Sequence, residues 1–330
     1  MNTTPQLSAN PPVRDTTTPR EIVVDNPHWK DKANQKLSIL VPSYKDDPEA
    51  LLASLSKCKN VEDIEFILYD DGGGDRTLIE KISAHAAEAS FPVRIISAQH
   101  NIGRAGARNR LLNYARCKWV LLLDADMLPD NEDFLTNYIQ EISVHPDPKL
   151  IVGGFSLKQA STAPEYALHR WQAEKSECMS SKLRNTEPGR YVFTSNVLAH
   201  ADLFEEVPFD ETFSGWGWED VDWGLRIAKT YLVLHIDNTA THLGLDTDRD
   251  LMKKYGKSGA NFKKAIEKHP DALKSTSLYK VANKLAPIPF KPVIKSITGS
   301  IATAHFFPIK VRGLALKLWR ATIYAEALHD

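Results

Sequence analysis

Apolar residues fall in short, unbroken runs through the first half of the chain. Residues 37–41, 64–69, 93–97 and 119–123 are four such runs. Each is bounded by turn-forming residues, the first by Pro42, and each reads as a strand buried on both faces. Residues 48–57, 77–89 and 103–114 read as helices between them. Strands and helices in this alternation predict an α/β fold, with a mostly parallel central sheet flanked by helices. Open sheets of this kind bind ligands beyond the carboxyl ends of their strands. Polar and glycine residues collect there, at 43–47, 70–75 and 124–126.

The second half is less regular. Strands are expected at 151–157, 191–198 and 231–236, and helices at 164–180 and 219–229. A polar turn then runs through His242, and a Lys-rich helix covers 248–268. No internal repeat is visible. Residues 1–36 are rich in Pro, Thr and Asn without a sustained period. They read as a disordered lead with a short ordered piece near 23–29.

Composition narrows the class. With 42% hydrophobic and 25% charged residues, the chain is neither collagen-like, low-complexity nor wholly disordered. The longest uncharged stretch near the C-terminus, 296–309, is 14 residues. That is below the roughly 18 a membrane-spanning helix needs. No apolar leader is visible, and Cys58, Cys117 and Cys178 are too scattered for a disulfide framework or zinc cluster. A reducing, cytoplasmic setting is expected.

The net charge of −1 conceals a division. Residues 251–330 hold 15 Lys/Arg and 4 Asp/Glu, a net +11; the remaining 26 Lys/Arg and 38 Asp/Glu give the body −12. An acidic body suits metal and acid–base chemistry, and a basic tail suits an anionic surface.

Five segments carry candidate chemistry. Asp124-Ala125-Asp126 ends the fourth strand, where the period of two sends both carboxylates to one side. Such a pair suits a hard divalent ion and a diphosphate; the plainer reading is a solvated turn. Asp70-Asp71-Gly72-Gly73-Gly74-Asp75 ends the second strand, either as a polar turn or as a close approach to a base or ribose. The stretch from Asn101 to Asn109 opens a helix, and its arginines either face phosphates or are solvated. It lacks the three-glycine dinucleotide spacing, which disfavours a dehydrogenase. Gly215-Trp216-Gly217-Trp218-Glu219-Asp220-Val221-Asp222 combines rings that stack on sugars with acids that take a hydroxyl proton. The plainer reading is core tryptophans and acids at a helix start; both hold together, since Asp222 and Arg226 are one turn apart on that helix. His242 follows a strand; it is either structural or completes a carboxylate metal site.

Taken in order, these segments and Val41-Pro42-Ser43-Tyr44 resemble the family 2 glycosyltransferases of the GT-A fold, over about residues 37–245. The Trp block is similar to that of β-1,4-galactosyltransferases and chondroitin-type polymerases. The resemblance implies a metal-dependent inverting transfer from a UDP-sugar to a glycan or lipid-linked saccharide, in cell-surface polysaccharide or glycolipid synthesis. It implies that Pro42, Tyr44, Asp71, Arg104 and Asp124 bind the donor, that Asp126 and His242 hold Mn²⁺ or Mg²⁺, that Glu219, Trp216 and Trp218 bind the acceptor, and that Asp220 is the base. Lys45, where the family commonly has Asn, and the extra glycine near Gly74 are departures that bear on donor preference. The implied organisation is a lead over 1–36, a catalytic domain over 37–247 with a nucleotide-sugar half to 130, and a basic helical tail over 248–330.

Two other readings stay open. A sugar nucleotidyltransferase shares such a sheet, but would carry a Gly-rich basic loop where this chain has Pro42-Ser43-Tyr44-Lys45. A non-catalytic carbohydrate-binding or scaffold protein need not keep both the Asp pair and Asp220. In the tail, Val311, Leu314, Ala315, Leu318 and Trp319 share one helical arc, with Lys310, Lys317 and Arg320 elsewhere on the wheel. This is either an interfacial helix on the cytoplasmic face of an anionic membrane, acting through 253–330, or a helix packed on the catalytic domain. No aromatic-basic motif appears, so nucleic acid is not an expected partner.

Overall fold

The computed structural model describes residues 21–30, 35–144 and 146–329. Its strands are β1 Glu21–Asp25, β2 Leu37–Ser43, β3 Ile64–Asp70, β4 Val93–Ala98, β5 Trp119–Leu123, β6 Met127–Pro129, β7 Lys149–Val152, β8 Phe155–Ser156, β9 Asn196–His200, β10 Leu232–His235 and β11 Ala240–His242. Its α-helices over the same body are α1 Glu49–Leu55, α2 Arg76–Glu88, α3 Gly103–Leu112, α4 Phe134–Val144, α5 Ala167–Ser176, α6 Ser181–Arg184, α7 Ala201–Glu206 and α8 Glu219–Ile227. The C-terminal helices are α9 Asp248–Lys257, α10 Gly259–Lys268, α11 Pro270–Leu273, α12 Ser277–Leu285, α13 Lys291–Thr303 and α14 Ile309–His329.

The chain is a mixed α/β protein. An eight-stranded sheet has the order β1-β4-β3-β2-β5-β9-β7-β10, and a three-stranded sheet the order β6-β11-β8. β2 lies parallel between β3 and β5, with Leu40 opposite Ile67 and Leu122. β1 and β9 run against their neighbours. The unbroken apolar runs are explained by burial on both faces. Leu37, Ile39 and Val41 of β2 pack with Leu51 and Phe134 on one face. Leu40 packs with Ala105, Leu111 and Trp223 on the other. Each such buried side chain contributes about 1.5–3 kcal/mol.

Several boundaries differ from expectation. Residues 1–20 and 31–34 of the expected disordered lead lie outside the described residues. The short ordered piece expected near 23–29 is present and begins earlier: residues 21–25 form β1, paired with β4 from Glu21 opposite Ala98 to Asp25 opposite Arg94, and Pro27–Lys30 a 3-10 helix. Side chains on both sides of this segment hold it in place. Glu21 accepts from Arg110 Nε at 2.8 Å, and the buried Trp29 ring has guanidinium groups of Arg116 and Arg94 at 3.9 and 4.3 Å. Pro42 does not end the first strand but sits inside β2 opposite Tyr69, after the ladder to β5 has stopped at Leu40. The strand expected at 151–157 is divided between the two sheets, with Gly153 and Gly154 at the division. The one expected at 191–198 begins only at Asn196. The 164–180 helix shortens to Ala167–Ser176. The 248–268 helix is two helices joined at Ser258, whose hydroxyl is turned inward to Tyr255 O (2.8 Å) and the Tyr324 hydroxyl (2.9 Å).

The C-terminal helices form a third core. Leu168, Phe213, Leu251, Tyr255, Phe262, Trp319 and Tyr324 are buried together, so α14 packs on the body. The arc read from sequence is split: Ala315 and Trp319 are buried, whereas Val311, Leu314 and Leu318 are exposed. Among the described residues no helix is long and apolar enough to cross a membrane.

Candidate active site

A cavity of about 1080 Å³ opens at the carboxyl ends of β2, β3 and β5. All the residues singled out from the sequence line it: Pro42, Tyr44, Asp71, Arg104, Asp124, Asp126, Trp216, Trp218, Glu219, Asp220 and His242.

Asp124 leaves the end of β5 and is gripped from two elements. Arg108 Nη2 of α3 donates to its Oδ1 at 3.0 Å, and Ser195 Oγ to its Oδ2 at 2.7 Å. Arg104 Nη2 lies 3.7 Å from Oδ2. Burial pushes the Asp124 carboxyl up, but Arg108 and Arg104 outweigh that and hold it below the usual range. Asp124 is therefore a charged anchor for α3 as well as a cavity wall.

Asp126 and His242 face each other across two strands. β11 runs antiparallel to β6 with His242 opposite Met127, so the imidazole meets the preceding aspartate, with His242 Nε2 3.2 Å from Asp126 Oδ2. Burial alone would lower the His242 pKa; the Asp126 carboxylate raises it above the ordinary value. A Cβ on Gly244 would meet Asp126 Oδ2 at 1.9 Å, so a larger residue there would have to displace the carboxylate. Among the described residues no group of three or more His, Cys, Asp or Glu could enclose an ion. A carboxylate and an imidazole on one edge fit Mn²⁺ or Mg²⁺ when phosphate and water supply the other ligands. Asp46 adds charge nearby: burial and then the Asp126 and Asp124 carboxylates push its pKa up.

Asp71 is placed differently. Its two oxygens accept from the backbone N–H of Ile102 (2.7 Å) and Gly103 (2.9 Å), fixing the start of α3 against the end of β3. A carboxylate oxygen has two acceptor positions, so each retains one.

The Trp block turns sharply into α8. Gly215, Gly217 and Trp218 have φ of +79°, +89° and +78°, a left-handed path that ends the loop at the helix start. Trp218 Nε1 donates to Tyr324 OH at 3.3 Å, and Trp216 meets Tyr255 edge-on at 5.1 Å. Glu219 is buried, with Oε1 2.9 Å from Arg104 Nε and Oε2 without a partner. Burial and the adjacent Asp220 raise its pKa. Asp220 accepts from Thr194 Oγ1 at 2.7 Å, which fixes its carboxylate at the cavity wall. Asp222 points away, into Arg226 Nε (2.8 Å), Lys268 Nζ (2.6 Å) and His269 Nε2 (2.9 Å). Thr194, Ser195 and Asp46 were not singled out from the sequence; Arg108, one of the arginines expected to face phosphates or solvent, is instead buried and donates to Asp124.

The glycosyl transferase family 2 model matches residues 38–202. The chain belongs to that family. It is a glycosyltransferase, as its curated relatives are named. It is 28% identical over 227 residues to the hyaluronan synthase of Pasteurella multocida, covering 58% of this chain and 23% of that protein. It is 28% identical over 224 residues to the chondroitin synthase of Escherichia coli, covering 58% of this chain and 32% of that protein. The chain thus matches under a third of either relative's length. Two solved structures share the GT-A fold. One is the mannosyltransferase of Pyrobaculum calidifontis in complex with GDP-Man and Mn²⁺ (TM-score 0.51, 18% identity, 94% of this chain and 89% of that one). The other is Staphylococcus aureus TarS 1–349 in complex with UDP (TM-score 0.50, 16% identity, 89% and 90%).

Proposed function

We propose that this glycosyltransferase moves a sugar from a UDP-sugar to a hydroxyl of a glycan or lipid-linked saccharide, with inversion, in cell-surface polysaccharide or glycolipid synthesis. The observation that carries the reading is one cavity lined by both the Asp124–Asp126 end of β5 and the Glu219–Asp220 start of α8. The likeness to hyaluronan and chondroitin synthases supports a saccharide product.

Pro42 and Tyr44 border the nucleotide, and the remaining acceptor positions of Asp71 take the N–H of its base. Asp124 faces the ribose or donor sugar. Asp126 and His242 would hold the Mn²⁺ or Mg²⁺ ion, which supplies positive charge for the departing diphosphate. Arg104 adds a second cation beside the phosphates. On the acceptor side, Trp216 and Trp218 offer ring faces and Glu219 the free Oε2 to sugar hydroxyls. Asp220, fixed by Thr194, takes the acceptor proton as the hydroxyl oxygen attacks the anomeric carbon. One displacement inverts that carbon without an enzyme nucleophile.

The unit is read as one catalytic domain whose basic helical tail completes the cavity. The exposed apolar and lysine residues of the tail lie against an anionic membrane at the cytoplasmic face.

UDP release from a panel of UDP-sugars, with Mn²⁺ and with chelator, tests the donor. Asp220→Asn should bind UDP as the parent does and lose roughly 10²–10⁴-fold in transfer. Near-normal transfer by that variant overturns the base; no UDP release from any sugar overturns the donor.

A further inference from the structure

The cavity is walled on one side by the tail. Leu278 and Val281 of α12 and Leu314 and Leu318 of α14 line it, together with Lys317 and Arg320. Leu314 is 64% exposed and Leu318 and Val281 are also exposed, so this wall is at the mouth. An apolar strip leading from bulk solvent into a polar active site is costly unless something apolar lies on it.

Two cations stand on the same wall, three residues apart and so on one face of α14. Lys317 Nζ is 5.0 Å above the Trp171 ring, and the Arg320 guanidinium 4.8 Å from the Tyr255 ring centre. Arg320 Nε is buried without a hydrogen-bond partner. Burial acts most strongly on the guanidinium and is offset first by Tyr255, which also hydrogen-bonds it, then by Tyr324 and least by Glu177; burial pushes the Glu177 carboxyl up, towards its neutral form. A guanidinium left this way retains the capacity to fork onto a phosphate. In the proposed donor site the phosphates face Arg104 and an ion that Asp126 and His242 would hold, so this is a second anion position.

Resting on the glycosyltransferase reading of the cavity, we infer that the α12–α14 wall is an acceptor subsite for an amphiphilic phosphate. Arg320 and Lys317 hold the phosphate that joins saccharide to lipid, and the hydrocarbon chain lies along Leu278, Val281, Leu314 and Leu318 towards the surface. The saccharide end then reaches Trp216, Trp218 and Asp220.

The test is a calorimetric titration of the full chain, saturated with UDP and Mn²⁺, with decyl phosphate below its micelle concentration. Inorganic phosphate, decanol and glucuronic acid are titrated alongside. Decyl phosphate should bind at least about tenfold more tightly than any of the three. Lys317→Gln and Leu314→Asp, both at exposed positions, should each weaken it about fivefold or more while UDP affinity stays within about twofold. Arg320→Gln should abolish it; the two exposed variants keep the test decisive if that chain misfolds. Binding of decyl phosphate no tighter than decanol, phosphate or glucuronic acid overturns the subsite, as does binding indifferent to both exposed substitutions. The UDP titration reports separately. UDP binding without decyl phosphate binding removes the subsite and keeps the donor, and the reverse removes the donor and keeps the subsite.

Discussion

His235 shows how a buried polar residue is committed to one charge state. Arg184 Nη1 donates to its Nδ1 at 3.0 Å, and its Nε2–H donates to Pro188 O at 2.9 Å. Both nitrogens are occupied by the neutral ring, and protonation would set Nδ1–H against a guanidinium. Burial lowers its pKa to about 4 from an ordinary 6.5. Between those values the unfolded chain binds a proton that the folded chain does not, so stability falls as pH falls through that window. From pH 7 to 5 this amounts to about 2 kcal/mol. Urea titrations should show that much of the acid sensitivity missing in His235→Gln, whatever its stability at pH 7. An unchanged pH slope in the variant would refute the assignment. In the cavity, the acidic residues were legible because Asp124, Asp126, Glu219 and Asp220 carry their chemistry in their side chains at strand and helix ends. Thr194 and Ser195 were not, since an ordinary Thr-Ser pair becomes significant only when β9 pairs with β5 and brings it to Asp220 and Asp124. Asp46 lay within the polar run 43–47, so it had a signal, but nothing aimed it at Asp126.

At the scale of elements, the strands that sequence located well are those buried on both faces, β2 to β5, because their apolar runs need no partner to be recognised. The second half was less legible because its breaks depend on distant side chains. Gly153 and Gly154 divide what reads as one strand. A Cβ on Gly153 would meet Tyr138 Oη at 2.1 Å; Gly154 has φ +90°, and a Cβ there would meet Arg184 Nη2 at 2.5 Å. Arg184 cannot withdraw easily: it is fully buried and donates to Ile236 O at 2.8 Å and Met179 O at 3.0 Å. The division lets β8 join β11, the strand that presents His242. Gly154→Ala should therefore cost strain and a clash, about 2 kcal/mol or more. Gly74→Ala, at φ +69° with nothing within 4 Å of its Cβ, should cost only the strain, about 1 kcal/mol. Equal losses of denaturation midpoint for the two variants would show that Arg184 yields and that the clash is absent.

For the whole molecule, the division into acidic body and basic tail has two parts. Some tail cations are spent on the fold: Lys268 on Asp210 (2.7 Å) and Asp222 (2.6 Å), Lys254 on Asp246 (2.8 Å), and Arg312 on Asp248. The pairs of Lys268 and Lys254 clamp the tail helices to the body, and Arg312–Asp248 ties α14 to α9. Lys280 and Lys284 of α12 and Lys310 and Lys317 of α14 are exposed, and so are apolar side chains of the same segment: Phe290 at 67% and Phe306 at 81% in the loops on either side of α13, and Val293 and Ile297 on α13 itself. Exposed lysines and exposed aromatic rings in one segment are the combination that binds anionic lipid, each charge adding about 1 kcal/mol near the surface. The intact chain should therefore float with vesicles rich in phosphatidylglycerol, and much less with phosphatidylcholine alone. High salt should weaken flotation by screening the lysines. Phe290→Ser with Phe306→Ser should weaken it about tenfold at low salt, through loss of inserted apolar area. Because neither ring lies in the cavity wall, this double variant should keep UDP binding. Flotation equal on neutral and anionic vesicles, or unaffected by loss of both rings, would leave α14 as a packing helix alone.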